Sequence, residues 1–328
     1  MATLVLDRRD LELRLDGAAL ALYEPSGRRG TVPLKLLDRV VLQGDIRLDT
    51  GVLTHLAESG VGVLLLSKRM SRRVAVVLGP QHNDAAVRLA QSQRVFDPGW
   101  QQAWARHLVW SKLVGQRRAL VSAMPLRPDV RKPLFDAVAA LDAALARVRD
   151  EVLLPDSLRG VEGAAARVYF DGFGALFAAS LNFSGRNRRP PRDPVNACLS
   201  LGYTLLHFDA VRAAHGAGLD PLLGFFHRPA FGRESLASDL IEPLRPRLDV
   251  WVWSLFRERT LRAEHFSMDK GACLLGKAGR EAFYAGFDAA ARPWRQALRR
   301  RCQGLAAALR LEGSVFMAAE AAMAGDEE

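Results

Sequence analysis

Four residues of this chain, Glu162, His227, Asp239 and Glu242, have side chains suited to metal-assisted chemistry. Glu162 stands among Gly160, Gly163 and Ala164 to Ala166, small neighbours that let a substrate or another backbone come close to its carboxylate. His227 ends the apolar run Leu222-Leu223-Gly224-Phe225-Phe226. Asp239 and Glu242 are three apart in Ser235 to Glu242, so a helix would project both from one side. One imidazole with two or three carboxylates suits Mg²⁺ or Mn²⁺, the imidazole tilting the preference toward manganese. Spacing alone leaves each residue a purely structural account. Glu162 could be a carboxylate favoured by a helix N-terminus, His227 a core or capping histidine, and Asp239 and Glu242 partners of Arg245 and Arg247. No short ligand motif joins them, since 65 residues separate Glu162 from His227.

A second feature is cationic. Ser184 to Pro194 holds Arg186, Arg188, Arg189 and Arg192 within seven positions, together with Pro190, Pro191 and Pro194, which forbid regular helix. An arginine-rich loop kept extended by proline can meet successive phosphates with bidentate forks. Its bland alternative is a solvated loop that maintains solubility, but like charges this dense repel one another without an anion. A further basic run, Arg292, Arg295, Arg299, Arg300 and Arg301, falls in a helical stretch and has no assigned role. Gly271 to Ala278 nearly matches a nucleotide-binding phosphate loop. There Ala278 replaces the magnesium-holding hydroxyl, and polar residues precede it where a buried strand is required.

The elements that must position these groups change texture along the chain. Thr3–Leu6, Leu11–Leu15, Ala19–Tyr23, Arg39–Leu42, Val61–Leu66 and Val74–Leu78 are short apolar or alternating runs separated by turn signals, which predict strands. One helix opens at Asp49-Thr50-Gly51, with Val52, Leu53, Leu56 and Ala57 on one face. Beyond Gly79-Pro80 the apolar period becomes helical, over 85–95, 100–124, 133–152, 163–181, 194–217 and 279–312. The expected architecture is α+β in two domains. A small β-rich, β-sandwich-like domain spans 1–80, a linker 81–84, and a larger all-α domain 85–328.

Lys and Arg number 46 against 36 Asp and Glu across 328 residues, a net charge of +10 that points to a polyanionic partner, nucleic acid first. Cys198, Cys273 and Cys302 show no CxxC spacing, which argues against a disulfide scaffold or structural zinc. No apolar run approaches the ~20 residues of a membrane span. With charges throughout Met1 to Asp16, no signal peptide is expected, and the location expected is cytoplasmic.

In order, these residues resemble the family of CRISPR-associated protein one, the integrase-endonuclease of CRISPR spacer acquisition. The resemblance begins at Asp7-Arg8-Arg9-Asp10, Leu15-Asp16-Gly17 and Leu37 to Leu42. It continues through Glu162-Gly163 with Tyr169-Phe170, Arg188 to Asn196, Leu201-Gly202-Tyr203, Gly224 to His227 and Leu236 to Pro246. Leu274-Leu275, Gly279-Arg280 and Phe283 complete it. The resemblance implies an N-terminal β domain that dimerises and a helical catalytic domain. It implies Mg²⁺ or Mn²⁺ on Glu162, His227 and Glu242, with Asp239 the adjacent acid that could coordinate instead or as well. Relatives often carry Asp at the last position, where this chain has Glu242. DNA is the implied substrate, as spacer precursors and CRISPR repeat, with a homodimer and CRISPR-associated protein two as partners. Arg186, Arg188, Arg189 and Arg192 would hold its phosphates. The competing readings are a stand-alone metal-dependent nuclease on branched DNA and a noncatalytic DNA-binding scaffold.

Overall fold

Alternating apolar residues near the N-terminus become two four-stranded sheets over a common core. The computed structural model describes residues 2–7, 10–67, 73–80, 82–187 and 190–325. One sheet is ordered β1-β5-β7-β8, from β1 (Ala2–Leu6), β5 (Leu37–Gln43), β7 (Gly62–Leu66) and β8 (Arg73–Val77). The other is ordered β4-β3-β2-β6, from β2 (Leu11–Asp16), β3 (Ala19–Glu24), β4 (Gly27–Pro33) and β6 (Ile46–Leu48). Leu6, Val40 and Val63 of the first sheet share a buried cluster with Leu11, Leu13 and Leu20 of the second. The helix expected at Asp49 is α1 (Thr50–Glu58), whose Val52 and Leu56 are buried. It carries the chain between β5 and β7, which run parallel and so need a crossover.

Within these two sheets, β4 and β6 are the strands not among those expected. Gly27-Arg28-Arg29-Gly30 has no apolar alternation because β4 is an outer strand whose first five residues are exposed, and β6 is three residues long.

The chain divides into two compact units, Met1–His82 with Arg280–Ala291, and Asn83–Gly279 with Arg292–Glu328. Residues 280–291 join the first unit through polar anchors. The Arg280 guanidinium donates to Asp7, and Thr3 donates to Asp288 through its N–H and its hydroxyl.

The second unit is built from α2 (Ala85–Arg94), α3 (Pro98–Ala123), α4 (Arg131–Asp150), α5 (Pro155–Gly174), α6 (Pro194–Gly216), α7 (Ser235–Ile241) and α8 (Arg245–Arg257). The chain ends in α9 (Lys277–Gly325). Asp84, Asp97 and Asp193 cap α2, α3 and α6 by accepting backbone N–H groups of Ala86, Trp100 and Asn196. Starting at Pro155, a residue suited to a first turn, α5 sets Glu162 two turns inside the helix rather than at its N-terminus. One departure from all-α is the hairpin of β9 (Phe266–Asp269) and β10 (Ala272–Leu275). It occupies the stretch resembling a phosphate loop, and Gly271 at φ +77° is its turn, so no anion cradle forms there.

Candidate active site

His227 lies on a loop held from three directions. From α2, the buried Gln91 side chain donates to the Asp220 and Leu223 carbonyls and accepts from the Asp220 N–H. From α3, Trp100 and Trp104 pack edge-on against Phe225, with centroids 5.8 and 5.0 Å away. From α7, the Asp239 carboxylate takes three successive backbone donors of the loop. Its Oδ2 accepts the N–H groups of Phe225 (2.9 Å) and Phe226 (3.0 Å), and its Oδ1 accepts the N–H of His227 (2.9 Å).

Asp239 Oδ1 also lies 2.7 Å from His227 Nδ1. An ionised carboxylate only accepts, so Nδ1 carries the proton and Nε2 keeps its lone pair for an external partner. Gly224 makes this approach possible, because a Cβ there would stand 2.6 Å from the backbone carbon of Ser235. Asp239 is fully buried, and its four hydrogen bonds suit an anchor better than an ion's ligand.

Glu162 reaches the same place from α5. Both residues line a cavity of about 380 Å³, together with Asp156, Arg159, Phe226, Arg228 and Arg233. The Glu162 and His227 side chains keep 15% and 19% of their exposure, enough for a substrate to reach them. A cavity of about 420 Å³ in the first unit is larger, but it contains no histidine, and its Asp7 and Asp288 are taken up by Arg280 and Thr3.

Glu242 begins a single 3₁₀ turn, Glu242–Leu244, between α7 and α8. Its Oε1 accepts from Arg245 Nε at 2.8 Å. Its Oε2 is 2.6 Å from the Lys112 ammonium of α3, which also donates to Glu162 Oε1 at 2.5 Å. Lys112 gets this close because Gly115, one turn on, lets α3 rest against Pro246, only 3.1 Å from where a Cβ would be. Burial by itself would raise the Glu242 carboxyl, but Arg245 and then Lys112 outweigh it and hold it down at about 2. Burial likewise pulls Lys112 down, and Glu242 with Glu162 outweigh it, so the ammonium stays charged.

Among the described residues, no three His, Cys, Asp or Glu side chains converge on one point as a ligand set. Instead, two carboxylates converge on an ammonium. Glu242 Oε2 is buried and faces the Lys112 ammonium without a well-directed hydrogen bond. By donor type, two carboxylates and an imidazole suit Mg²⁺ or Mn²⁺.

Below the carboxylates lies a buried polar network. Arg245 stacks 4.4 Å over Tyr203, and the Tyr203 and Tyr169 hydroxyls both donate to Asp249. Burial raises the Asp249 carboxyl, and the tyrosine hydrogen bonds offset this only partly, leaving it at about 6. The folded state therefore holds this proton more strongly than the unfolded chain, whose ordinary value is 3.8. That stabilisation is present below the unfolded value and lost as pH rises through the folded one. Relative to Asp249→Asn, the wild type should lose on the order of 2–3 kcal/mol between about pH 4 and pH 6. Urea unfolding of both proteins across that range measures it, and parallel curves would refute it.

The arginine loop is only partly the surface expected of it. Arg186 turns inward, donating to Asn196 Oδ1 at 2.7 Å and Ser200 Oγ at 3.0 Å with its guanidinium over Tyr203. Its fork is already committed to the protein. Arg192 is exposed, and its backbone is fixed by donation to Asn187 Oδ1. Arg188 and Arg189 lie outside the described residues. Of the second basic run, Arg292, Arg299 and Arg300 are exposed, whereas Arg295 is buried on Asp209 and Arg301 packs over Trp104.

Lys112 was missed from the sequence. It is the one lysine of α3, and nothing in its sequence neighbourhood distinguishes it from a solvated one.

The model of the family described as CRISPR associated protein Cas1 matches residues 4–289. A CRISPR-associated endonuclease Cas1 from Thermodesulfovibrio yellowstonii is 37% identical over 308 residues, covering 93% of this chain and 96% of the relative. Another, from Rhodospirillum rubrum, is 38% identical over 280 residues, covering 82% and 80%. Among solved structures, a Cas1 protein from Thermotoga maritima shares the fold with TM-score 0.81 at 21% identity, covering 94% of this chain and 97% of that one. A casposase bound to its integration product has TM-score 0.82 at 22% identity, covering 95% and 91%. No described helix is long and apolar enough to cross a membrane.

Proposed function

The chain belongs to the CRISPR-associated protein Cas1 family, and from that membership we propose that it is a DNA endonuclease and integrase of spacer acquisition. The observation that carries the reading is the His227 imidazole, oriented by buried Asp239, facing one cavity with Glu162 while Lys112 ties Glu162 to Glu242. Glu162, His227 through Nε2, and Glu242 would hold Mg²⁺ or Mn²⁺. Such an ion, when bound, neutralises the charge that builds on a phosphodiester during in-line displacement.

The chain's own groups do the rest. Asp239 keeps the imidazole in the tautomer that leaves Nε2 free. Arg245 keeps Glu242 ionised. Arg228 and Arg233, on the cavity rim, attract the phosphate. In joining, the 3′-hydroxyl of the captured DNA attacks phosphorus as the bond to the target's 3′-oxygen breaks, so one phosphodiester forms for each one broken and the displaced oxygen takes up a proton. In cleavage water attacks instead. Neither route needs a side-chain nucleophile.

Support for DNA as substrate comes from the +10 charge and from the exposed Arg192. Reversing the charge of Arg188, Arg189 and Arg192 should weaken binding to every DNA sequence alike. It should also flatten the log–log salt dependence by up to about 0.9 for each phosphate that is no longer neutralised. Fluorescence anisotropy over a salt series measures both, and a weakening confined to one sequence would indicate base readout instead.

The relatives by fold include a Cas6-RT-Cas1–Cas2 complex, and this chain is proposed to work with the same small partner, CRISPR-associated protein two. A spacer has two ends to join, which favours a homodimer with two equivalent sites. The exposed outer strand β4 is an edge of the kind that pairing covers. Light scattering should give twice the 36.1 kDa of one chain, and a mass of one chain would defeat the dimer.

The deciding assay combines a supercoiled plasmid bearing a CRISPR repeat, a short duplex, the partner and Mg²⁺ or Mn²⁺. Joining of the duplex 3′-ends supports the integrase, cutting alone a stand-alone nuclease, and binding with no metal-dependent reaction a scaffold.

A further inference from the structure

Lys112 has no part in the chemistry above, yet it is the group most tightly bound to the residues that have. Its ammonium is 2.5 Å from Glu162 Oε1 and 2.6 Å from Glu242 Oε2, with 12% of the side chain exposed. Those carboxylates come from different elements, α5 and the turn after α7, and would repel each other across the site without a cation between them. A lysine ammonium is a compact point charge with donors free to rotate, so it can serve two carboxylates as a small ion would. An ion held by both carboxylates must take the point where they converge, and the ammonium holds that point.

We infer that Lys112 is a resident cation: it holds Glu162 and Glu242 together before a metal arrives, and the metal must displace it from both. The inference rests on the reading that Glu162, His227 and Glu242 form the metal site. It makes Lys112 a positioning residue with a cost, because every metal-binding event first breaks two ion pairs. The paired state keeps the carboxylates from splaying apart, and it lowers the affinity of the DNA-free protein for a divalent ion.

Calorimetric titration of the full-length, DNA-free protein with MnCl₂ at neutral pH tests this directly. Lys112→Met and Lys112→Gln, which keep the length and lose the charge, should bind Mn²⁺ at least about tenfold more tightly than wild type. Lys112→Arg, which keeps the charge, should not. Structural damage could weaken binding but could not strengthen it, so the gain distinguishes this role from simple packing. Uncharged variants that bind no more tightly than wild type overturn the inference. His227→Ala and Glu162→Gln, titrated alongside, isolate the reading beneath it: if both bind Mn²⁺ like wild type, the metal site itself is misassigned.

A measurement on wild type covers the case in which the variants fail to fold. Acylation of Lys112, followed by mass spectrometry, should rise severalfold on saturation with Mn²⁺, and unchanged protection of Lys112 would again overturn the inference.

Discussion

His227→Ala is expected to remove metal-dependent cleavage and joining while leaving the fold and duplex binding nearly intact. The imidazole is partly exposed at the cavity, and its loop is held by backbone donors to Asp239, by Gln91 and by the Phe225 ring, none of which the substitution touches. What disappears is Nε2, the neutral nitrogen of the proposed donor set. Losing a group that supports charge stabilisation at the reacting phosphate should cost at least about 10³-fold in rate. Duplex binding depends on dispersed guanidinium groups and should stay within about twofold. Single-turnover cleavage with Mn²⁺, run beside an anisotropy titration, gives both values. Cutting at the wild-type rate would mean that His227 is not part of the site.

Asp239→Asn should do damage of a different kind, first to stability. The carboxylate is fully buried and accepts three backbone N–H groups and the imidazole Nδ1 proton. An amide has one acceptor oxygen, and its NH₂ would face donors. Buried donors left unsatisfied cost about 1–3 kcal/mol each, so a loss of about 3 kcal/mol in unfolding free energy is expected. The imidazole also loses the partner that fixes its tautomer, and Mn²⁺ affinity should fall about 10- to 100-fold. Denaturant unfolding and metal titration measure the two effects separately. A variant as stable as wild type, with the same affinity, would show that Asp239 does not anchor the loop.

The sequence carried the fold class because hydrophobic period is a local property. Strands such as Leu11–Asp16 and helices such as Arg131–Asp150 bury residues at intervals readable within one window. Elements with little to bury escaped that reading: β4 at a sheet edge, the three-residue β6, and β9, whose middle residues are exposed; β10, a four-residue buried run, is too short for its period to show. Residue order also carried the resemblance, and with it Glu162, His227 and Glu242. The +10 charge and the arginine run pointed to phosphate, but they could not tell which arginines face it. Arg295 has the composition of a surface and the environment of a core, because Asp209 meets it from a distant part of the chain, while Arg186 is turned onto Asn196 and Ser200 of the helix that follows its loop.

Only the tertiary structure decided how the charged groups divide their roles. Asp239 reads from the sequence as a candidate ligand and in the fold is the anchor of the His227 loop. Lys112 reads as an ordinary surface lysine and in the fold joins two carboxylates, 50 residues away at Glu162 and 130 residues away at Glu242. Side-chain periodicity encodes which face of an element is buried, not which distant face it will meet. That meeting is set by packing, here of Gly115 against Pro246 and of Gly224 against Ser235, where the absence of a Cβ brings the charges within reach of one another.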